Sequence, residues 1–324
     1  MTKTKIKRIN LIVPVRNNSE DILPFFKSLL RSISRASIKS WNLLFAVNGS
    51  TDESLAIIKG LVKKYPSNIK YLNIKTGRKI KAQNCAIKHI KNNDPIFFFD
   101  VDILVDKEAI ARMITSLRMN PTAIVFGGIP LPKISFKGNR FIFYTLNFPS
   151  LFFWVKTSKE FIYNKSKNLR NYFHGRFFVL RSKKYWLLRD EYFPDDIQLI
   201  DWIYEKYSAN VFVLNPKARV YYKPYTSFVK RIKSSLRARL FISQFYSTYP
   251  NLGKFKKLFK LYWNIAEIRK LSLKFKFYFA IYLFYSIIES IICYFFILKT
   301  YIRRRKVNAY VLWDQFYKKT STIT

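Results

Sequence analysis

The sequence predicts an α/β protein with a mostly parallel, Rossmann-like sheet and flanking helices, followed by a helical, membrane-associated C-terminal region. Residues 1–130 alternate short β-branched or aromatic runs with amphipathic stretches of helical period, which is typical of β–α–β units. Residues 217–276 contain 16 Lys and Arg but one acid, so the composition changes there. Residues 277–298 then form a 22-residue apolar stretch with a single charge, Glu289.

The strands of the predicted sheet are runs of Val, Ile, Leu and Phe bounded by polar residues, Gly or Pro. The helices begin after residues that cap helix N-termini, such as Asn18 or Ser19 for the first helix. Residues 131–172 show no clear period and are predicted to be irregular. The predicted strands are 9–15, 42–47, 69–74, 96–99, 123–126, 177–180 and 211–214, and the helices begin near 19 and 52 and cover 82–91, 107–119 and 195–207.

The formal net charge of +40, from 59 Lys and Arg against 19 Asp and Glu, predicts a partner of negative charge. Nucleic acid, an anionic membrane surface and a phosphorylated substrate are the three candidates. The sequence has no helix-turn-helix, RNP or zinc pattern, so nucleic acid is not expected as a partner. The eight glycines fit neither a G-x-G-x-x-G nor a P-loop pattern, which excludes a standard dinucleotide-binding oxidoreductase and a P-loop NTPase.

The apolar stretch 277–298 is long enough to span a bilayer, which takes about 20 residues. Glu289 near its middle costs about 2–4 kcal/mol on insertion scales. The following segment 299–306 carries five Lys and Arg, and such basic flanks stay on the cytoplasmic side. We therefore expect a helix that lies in or dips into the cytoplasmic leaflet of the inner membrane; a single span and a buried helix docked on the globular domain are the alternatives.

Acidic residues are concentrated at two places in this basic chain. Asp100 and Asp102 follow the apolar run 96–99, where a buried strand reaches the ligand-binding edge of a parallel sheet. Two carboxylates there can hold Mg²⁺ or Mn²⁺, with phosphate oxygens and water as the remaining ligands. Asp195 and Asp196 open a predicted helix, where the helix dipole favours carboxylates and where Asp195 also suits an N-cap.

Four motifs follow one another in the first hundred or so residues, and three of them come directly after predicted strands at one edge of the sheet. They are Ile12-Val13-Pro14-Val15-Arg16-Asn17, Asn48-Gly49-Ser50-Thr51-Asp52, Lys81-Ala82-Gln83-Asn84-Cys85-Ala86-Ile87 and Phe99-Asp100-Val101-Asp102. In this order they resemble the family 2 glycosyltransferases of the GT-A fold. A weaker likeness continues through 174–181 and 193–196, so the resemblance covers about residues 8–225.

This resemblance implies an inverting glycosyltransferase. The sugar would pass from a nucleotide-sugar donor, most simply a UDP-sugar, to a hydroxyl of a lipid-linked or surface-glycan acceptor. The implied general base is Asp196, with Asp195 as its catalytic neighbour, and Mg²⁺ or Mn²⁺ would be held by Asp100, Asp102 and His174. The implied donor-binding residues are Pro14, Arg16, Asn48, Asp52, Arg78, Lys81, Asn84, Asp100 and Arg237.

The resemblance assigns a role to the first two regions of the chain, and the basic composition with the apolar stretch assigns a role to the third. Residues 1–130 are expected to bind the nucleotide-sugar, residues 131–223 the acceptor, and residues 224–324 the membrane surface. Transfer to a polyprenyl phosphate is a second enzymatic interpretation, in which Asp196 would have no proton to remove. A basic nucleic-acid-binding protein is the non-enzymatic alternative.

Overall fold

The computed structural model divides the chain into two compact units. Unit 1 consists of Met1–Lys133 and Thr157–Lys223, and unit 2 of Ile134–Lys156 and Pro224–Thr324. The second unit is therefore made from two separate pieces of sequence. The residues that the structure describes are 6–75, 77–133, 140–148, 151, 173–186, 195–207, 211–225, 227–236, 239 and 272–302.

Unit 1 alternates strands and helices, as the spacing of its apolar residues predicts. Its elements in chain order are β1 (Arg8–Val15), α1 (Ser19–Arg35), β2 (Ser40–Asn48), α2 (Ser54–Lys64), β3 (Ile69–Ile74), α3 (Lys79–His89), β4 (Ile96–Phe99), β5 (Ile103–Val105), α4 (Ala109–Met119), β6 (Val125–Pro132), β7 (Phe177–Leu180), α5 (Asp195–Tyr207) and β8 (Phe212–Tyr222).

These strands form one eight-stranded sheet in the order β3-β2-β1-β4-β7-β6-β8-β5. The first four strands of this order pair in parallel, which is the β–α–β arrangement expected from residues 1–130. Beyond β4 the sheet is mixed: β7 runs antiparallel to both β4 and β6, β8 is parallel to β6, and β5 is antiparallel to β8. The α/β class is confirmed, and the parallel pairing expected from residues 1–130 is found in β1, β2, β3 and β4.

The two faces of the sheet bury different side chains of the same strand, because successive residues of a strand point to opposite faces. In β1, Leu11 and Val13 pack with α1, α2 and α4, whereas Ile12 packs with α3 and α5 on the other face. Phe98 of β4 stacks on Phe178 of β7, with ring centroids 4.5 Å apart. Both faces are covered by helices, so the ligand-binding part of unit 1 is the edge where the strands end.

Four segments differ from the expectation. β5 is a three-residue strand that was not predicted, and β8 continues to Tyr222, well beyond the predicted 211–214. β6 extends to Pro132, and residues 140–148 are helical, so part of the stretch predicted to be irregular is regular. The added strand residues of β5, β6 and β8 pair with neighbouring strands of the sheet, which are distant in the sequence.

Unit 2 contains helical residues 140–148 and 228–236 and a long helix, α6 (Leu273–Ile302). Leu146 and Phe148 pack against Tyr282 and Tyr285 of α6 in a small core. Asn147 joins the two sequence pieces of the unit: its Nδ2 donates to the Tyr225 carbonyl at 2.9 Å, and the Tyr225 N–H donates back to its Oδ1 at 2.9 Å. By length and composition, α6 is apolar enough over Leu273–Phe296 to cross a membrane.

Candidate active site

The loops after β1 and β2 lie side by side, because the parallel register pairs Val15 with Val47 at the strand ends. Asp52 connects them: one carboxylate oxygen accepts from the Ser19 N–H and the other from the Ser54 N–H, both at 3.0 Å. Burial by itself raises the pKa of Asp52, but hydrogen bonds from Ser54 and Ser19 outweigh it and hold the pKa below its ordinary value. Asp52 thus fixes the starts of α1 and α2.

A buried amide lies at the end of β2. Asn48 is 3% exposed, and its Oδ1 has no hydrogen-bond partner among the described residues. The next residue, Gly49, has φ +67° and donates its N–H to the Ile74 carbonyl at 2.7 Å, and a Cβ there would lie 3.1 Å from the Gly77 nitrogen. Arg16 donates to the Gly77 carbonyl at 2.7 Å and covers that glycine. The result is a close-packed edge with one buried acceptor.

Asp100 and Asp102 stand where β4 ends, and the antiparallel register explains what lies beside them. Phe99 pairs with Phe177, so the residues before β7 lie next to those after β4, and the Asp100 N–H donates to the Arg176 carbonyl at 3.1 Å. Asp102 is reached by solvent, yet surrounding protein and then the charge of Asp100 raise its pKa above the ordinary value. We call the surface around Asp100 and Asp102, together with the neighbouring Asp195 and Asp196, the acidic cleft.

Lys79 is shared between the two acidic clusters. It opens α3, and its Nζ lies 2.7 Å from Asp100 Oδ1 and 2.9 Å from Asp195 Oδ2. Burial alone lowers the pKa of Lys79, but the two carboxylates outweigh it and raise the pKa, so the side chain is an ammonium ion. Gln83, one turn further along α3, donates its Nε2 to the same Asp195 oxygen at 2.8 Å.

Asp196 is held from the other side by the chain that precedes β7. Both Asp195 and Asp196 lie in the first turn of α5, and the Gly175 N–H donates to Asp196 Oδ2 at 3.0 Å. A Cβ on Gly175 would lie 3.0 Å from the Asp196 carboxylate, so a larger residue would displace it. Burial, then the charge of Arg176, lowers the pKa of neighbouring His174 to about 4, so its ring is neutral at neutral pH.

Of the other residues predicted to bind the donor, four lie in or next to β1 and α3. Pro14 is buried within β1, Arg78 directly precedes α3, and Lys81 lies half-buried in the first turn of that helix. The Asn84 side-chain oxygen accepts a hydrogen bond from the Trp186 indole N–H at 2.6 Å. Arg237 lies outside the described residues.

Sequence reasoning did not assign roles to several residues that the structure places around the two clusters. The pairing of Lys79 with both carboxylates was not predicted, because residues 79, 100 and 195 are far apart in the sequence. Gln83 lies in the motif 81–87 and Gly175 in the segment 174–181, but their contacts join segments far apart in the chain. Spacing within a motif carries no information about such partners.

The chemistry of Asp100 and Asp102 fits a divalent metal ion. Carboxylate oxygens are the ligands that Mg²⁺ and Mn²⁺ prefer. Burial and then the charge of Asp100 raise the pKa of Asp102, and a bound cation would favour its ionised form. Among the described residues no three Asp, Glu, His or Cys side chains form a metal-binding group. The fit therefore rests on these two aspartates, with substrate phosphate and water as the further ligands.

An α/β sheet of this topology, with a two-aspartate turn after β4 and a second acidic pair beside it, defines a GT-A glycosyltransferase. The chain belongs to glycosyl transferase family 2, whose family model matches residues 10–188. No curated protein sequence matches the chain. The enzyme class and the fold expected from the four motifs are thus confirmed.

Solved structures agree with this fold at low sequence identity. The mannosyltransferase PcManGT from Pyrobaculum calidifontis, in complex with GDP-Man and Mn²⁺, matches with a TM-score of 0.55 and 14% identity over 99% of this chain and 82% of that chain. S. aureus TarS residues 1–349, in complex with UDP-GlcNAc, match with a TM-score of 0.47 and 17% identity over 71% of this chain and 65% of that one. Glucosyl-3-phosphoglycerate synthase from Mycobacterium tuberculosis, with Mn²⁺, UDP-Glc and phosphoglyceric acid, matches with a TM-score of 0.40 and 12% identity over 64% and 69%.

Proposed function

We propose that this glycosyltransferase moves a sugar from a nucleotide-sugar donor to an acceptor hydroxyl with inversion, and that Asp196 is the general base. The supporting observation is the position of Lys79, whose ammonium lies within 2.9 Å of carboxylates from both acidic clusters. The first cluster suits the donor and its metal, and the second suits proton removal. Their joining in one cleft is what a single displacement step requires.

The donor side of the cleft has an acceptor group suited to a nucleobase. The buried Asn48 Oδ1 has no hydrogen-bond partner in the part of the chain that the structure describes, and a buried polar atom without a hydrogen bond costs about 1–3 kcal/mol. An imide N–H, such as that of uracil, would supply the missing bond, which favours a UDP-sugar. PcManGT was solved with GDP-Man and Mn²⁺, which is in keeping with a nucleotide-sugar donor in general and does not bear on the choice of uracil.

The proposed reaction forms one bond and breaks one bond at the anomeric carbon. Asp196 takes the proton of the acceptor hydroxyl while that oxygen attacks from the face opposite the diphosphate. The bond to the diphosphate breaks, and the nucleoside diphosphate leaves with the electron pair. When bound at Asp100 and Asp102, Mg²⁺ or Mn²⁺ supplies positive charge that stabilises the departing diphosphate. Gly175 holds the base through its N–H bond to Oδ2.

The substitution Asp196→Asn tests the role of the base. We expect kcat to fall by about 10²-fold or more, because general-base catalysis contributes factors of this size. Binding of UDP with Mn²⁺, measured by calorimetry, should stay close to wild type because the donor side is unchanged. The matched control is Glu205→Gln, an exposed acid on the same helix, for which kcat should not change.

An unchanged kcat in Asp196→Asn would remove this residue from the proposed role. If the variant stays active only with acceptors that carry a phosphate, the interpretation as a polyprenyl-phosphate glycosyltransferase is favoured, since such an acceptor has no proton to give up.

We also propose that α6 anchors the enzyme on the cytoplasmic leaflet, near a lipid-linked acceptor. Glu289, the charge expected to oppose this, is 3% exposed and lies 3.7 Å from Arg231 within unit 2. Lys274 and Lys276 are exposed at the N-terminal end of the helix and suit anionic lipid. The large exposed hydrophobic side chains among the described ones of α6 are Leu273, Phe275, Phe277, Leu283, Phe284, Ile287, Ile288, Ile291, Ile292, Tyr294 and Phe295.

Sedimentation of the full chain with lipid vesicles tests this anchoring. We expect binding to vesicles that contain phosphatidylglycerol, and weaker binding to pure phosphatidylcholine, because the basic residues attract anionic head groups. Phe284→Asp together with Ile291→Asp should abolish binding by placing charge on the exposed apolar face. The control Met119→Asp changes an exposed apolar residue of unit 1 and should bind like wild type. Equal loss in the control would contradict the assignment of α6.

A further inference from the structure

We propose that Lys79 and Gln83 are positioning residues for sugar transfer, and that they act through Asp195 on the adjacent Asp196. This inference rests on the proposed function of Asp196. Lys79 and Gln83 are four residues apart in α3, so they lie on one face of that helix. Lys79 Nζ, at 2.9 Å, and Gln83 Nε2, at 2.8 Å, both approach the same Asp195 oxygen.

The position of Asp195 decides the position of the base that follows it. Asp195 and Asp196 are consecutive residues in the first turn of α5, so fixing one side chain fixes the rotation of the helix start. Gly175 holds Asp196 by a 3.0 Å hydrogen bond from its N–H. The base is thus held directly by the chain before β7 and indirectly by α3.

The same ammonium group also holds the donor side of the cleft. Lys79 Nζ lies 2.7 Å from Asp100 Oδ1, so one positive charge separates two carboxylates that would otherwise repel each other. Removing that charge would let Asp100 and Asp195 move apart and shift the base relative to the donor. A displacement of about 1 Å in a reacting group can cost about 10²-fold in rate.

Packing alone does not explain a glutamine at position 83. Gln83 is 1% exposed, and its Oε1 is buried with no hydrogen-bond partner among the residues that the structure describes, which is a cost to stability. A leucine of similar size would remove that cost and fill the same space. The gain that offsets the cost is the Nε2 donation to Asp195.

The test measures kcat, donor KM and thermal unfolding for Gln83→Leu, Lys79→Met and Lys79→Arg. We expect Gln83→Leu to lower kcat about 10-fold with donor KM and unfolding temperature close to wild type, since only the position of the base changes. Lys79→Met should lower kcat about 10²-fold. Lys79→Arg should have a higher kcat than Lys79→Met, because the positive charge is kept. The control Lys88→Met, exposed on the same helix, should behave like wild type.

The route through Asp195 is tested by repeating Gln83→Leu in an Asp195→Ala background. If Gln83 acts through Asp195, the substitution has no further effect on kcat there. An equal effect in both backgrounds, or a Gln83→Leu enzyme with wild-type kcat, overturns the inference. An Asp196→Asn enzyme that keeps its turnover would instead overturn the proposed function, so the two failures are distinguishable.

Discussion

The acidic cleft of unit 1 and the buried ion pair of unit 2 differ in the ratio of carboxylates to cations. In the cleft, Lys79 lies between Asp100 and Asp195, and further carboxylates stand close by. In unit 2 one carboxylate meets one cation: the carboxylate of Glu289 lies 3.7 Å from Arg231. In a chain of net charge +40, an excess of carboxylate at one place needs a cause.

The difference separates a binding site from a packing interaction. Asp102 has a raised pKa because burial and then the charge of Asp100 disfavour its ionised form. Such perturbed groups cluster at functional sites, where a ligand supplies the missing charge. Arg231 and Glu289 compensate each other and join two parts of unit 2. Two substitutions at carboxylates should therefore change stability in opposite directions.

The larger effect is expected in unit 2. Glu289→Leu leaves Arg231 as a largely buried charge without its partner, so the free energy of unfolding should fall by about 3 kcal/mol or more. Replacing both residues, with Arg231→Met added to Glu289→Leu, should recover most of the loss. Chemical denaturation of the purified chain measures both. The exposed pair of Arg35 and Glu108 is the control, and Arg35→Met should cost less than about 1 kcal/mol.

A double variant as unstable as the single one would contradict this account, because the loss would then come from packing rather than from an unpaired charge.

The smaller effect, of opposite sign, is expected in the cleft. Asp102→Asn removes a charge that the folded state disfavours, so the free energy of unfolding at neutral pH should rise, by less than about 1 kcal/mol because solvent screens this side chain. A raised pKa means that the folded protein binds this proton more readily than the unfolded chain. The advantage of the variant should therefore shrink as the pH falls through the raised pKa.

Unfolding curves at several pH values measure this, with Glu205→Gln as the exposed control. A gain that does not depend on pH, or a loss of stability at neutral pH, would mean that the charge of Asp102 is not the cause.

The parallel half of the fold was predictable because its signal is local. Strands such as β1 and β4 are continuous apolar runs that end in polar loops, and residues of this kind are typical of buried parallel strands. β5 is apolar but has only three residues, which is too short a run to predict a strand, and the apolar pattern of β8 is interrupted by Asn215, Pro216 and Lys217. Those strands depend on pairing with neighbours that lie far away in the sequence.

The residues of each site motif could be predicted from the sequence, but the contacts between motifs could not. The turn at Asp100 and Asp102 and the helix start at Asp195 and Asp196 could be found from sequence, and the structure places Asp100 and Asp195 around one ammonium ion. The identity of that cation could not be found, because residue 79 and residue 195 meet only in three dimensions. Asp52 illustrates the same limit: its predicted contact with the nucleoside remains a prediction, and its carboxylate bonds to backbone N–H groups.

The split sequence of unit 2 has a consequence for synthesis on the ribosome. Residues 134–156 emerge early, but their partners, Tyr225 bonded to Asn147 and Tyr282 packed on Phe148, emerge only after the last strand of the sheet. The first piece must wait with apolar side chains such as Leu146 uncovered while unit 1 is completed. A chain that ends near residue 223 would therefore contain every strand of the sheet, while apolar side chains of the first piece of unit 2 would lack their packing partners. Chaperone binding is expected at this stage.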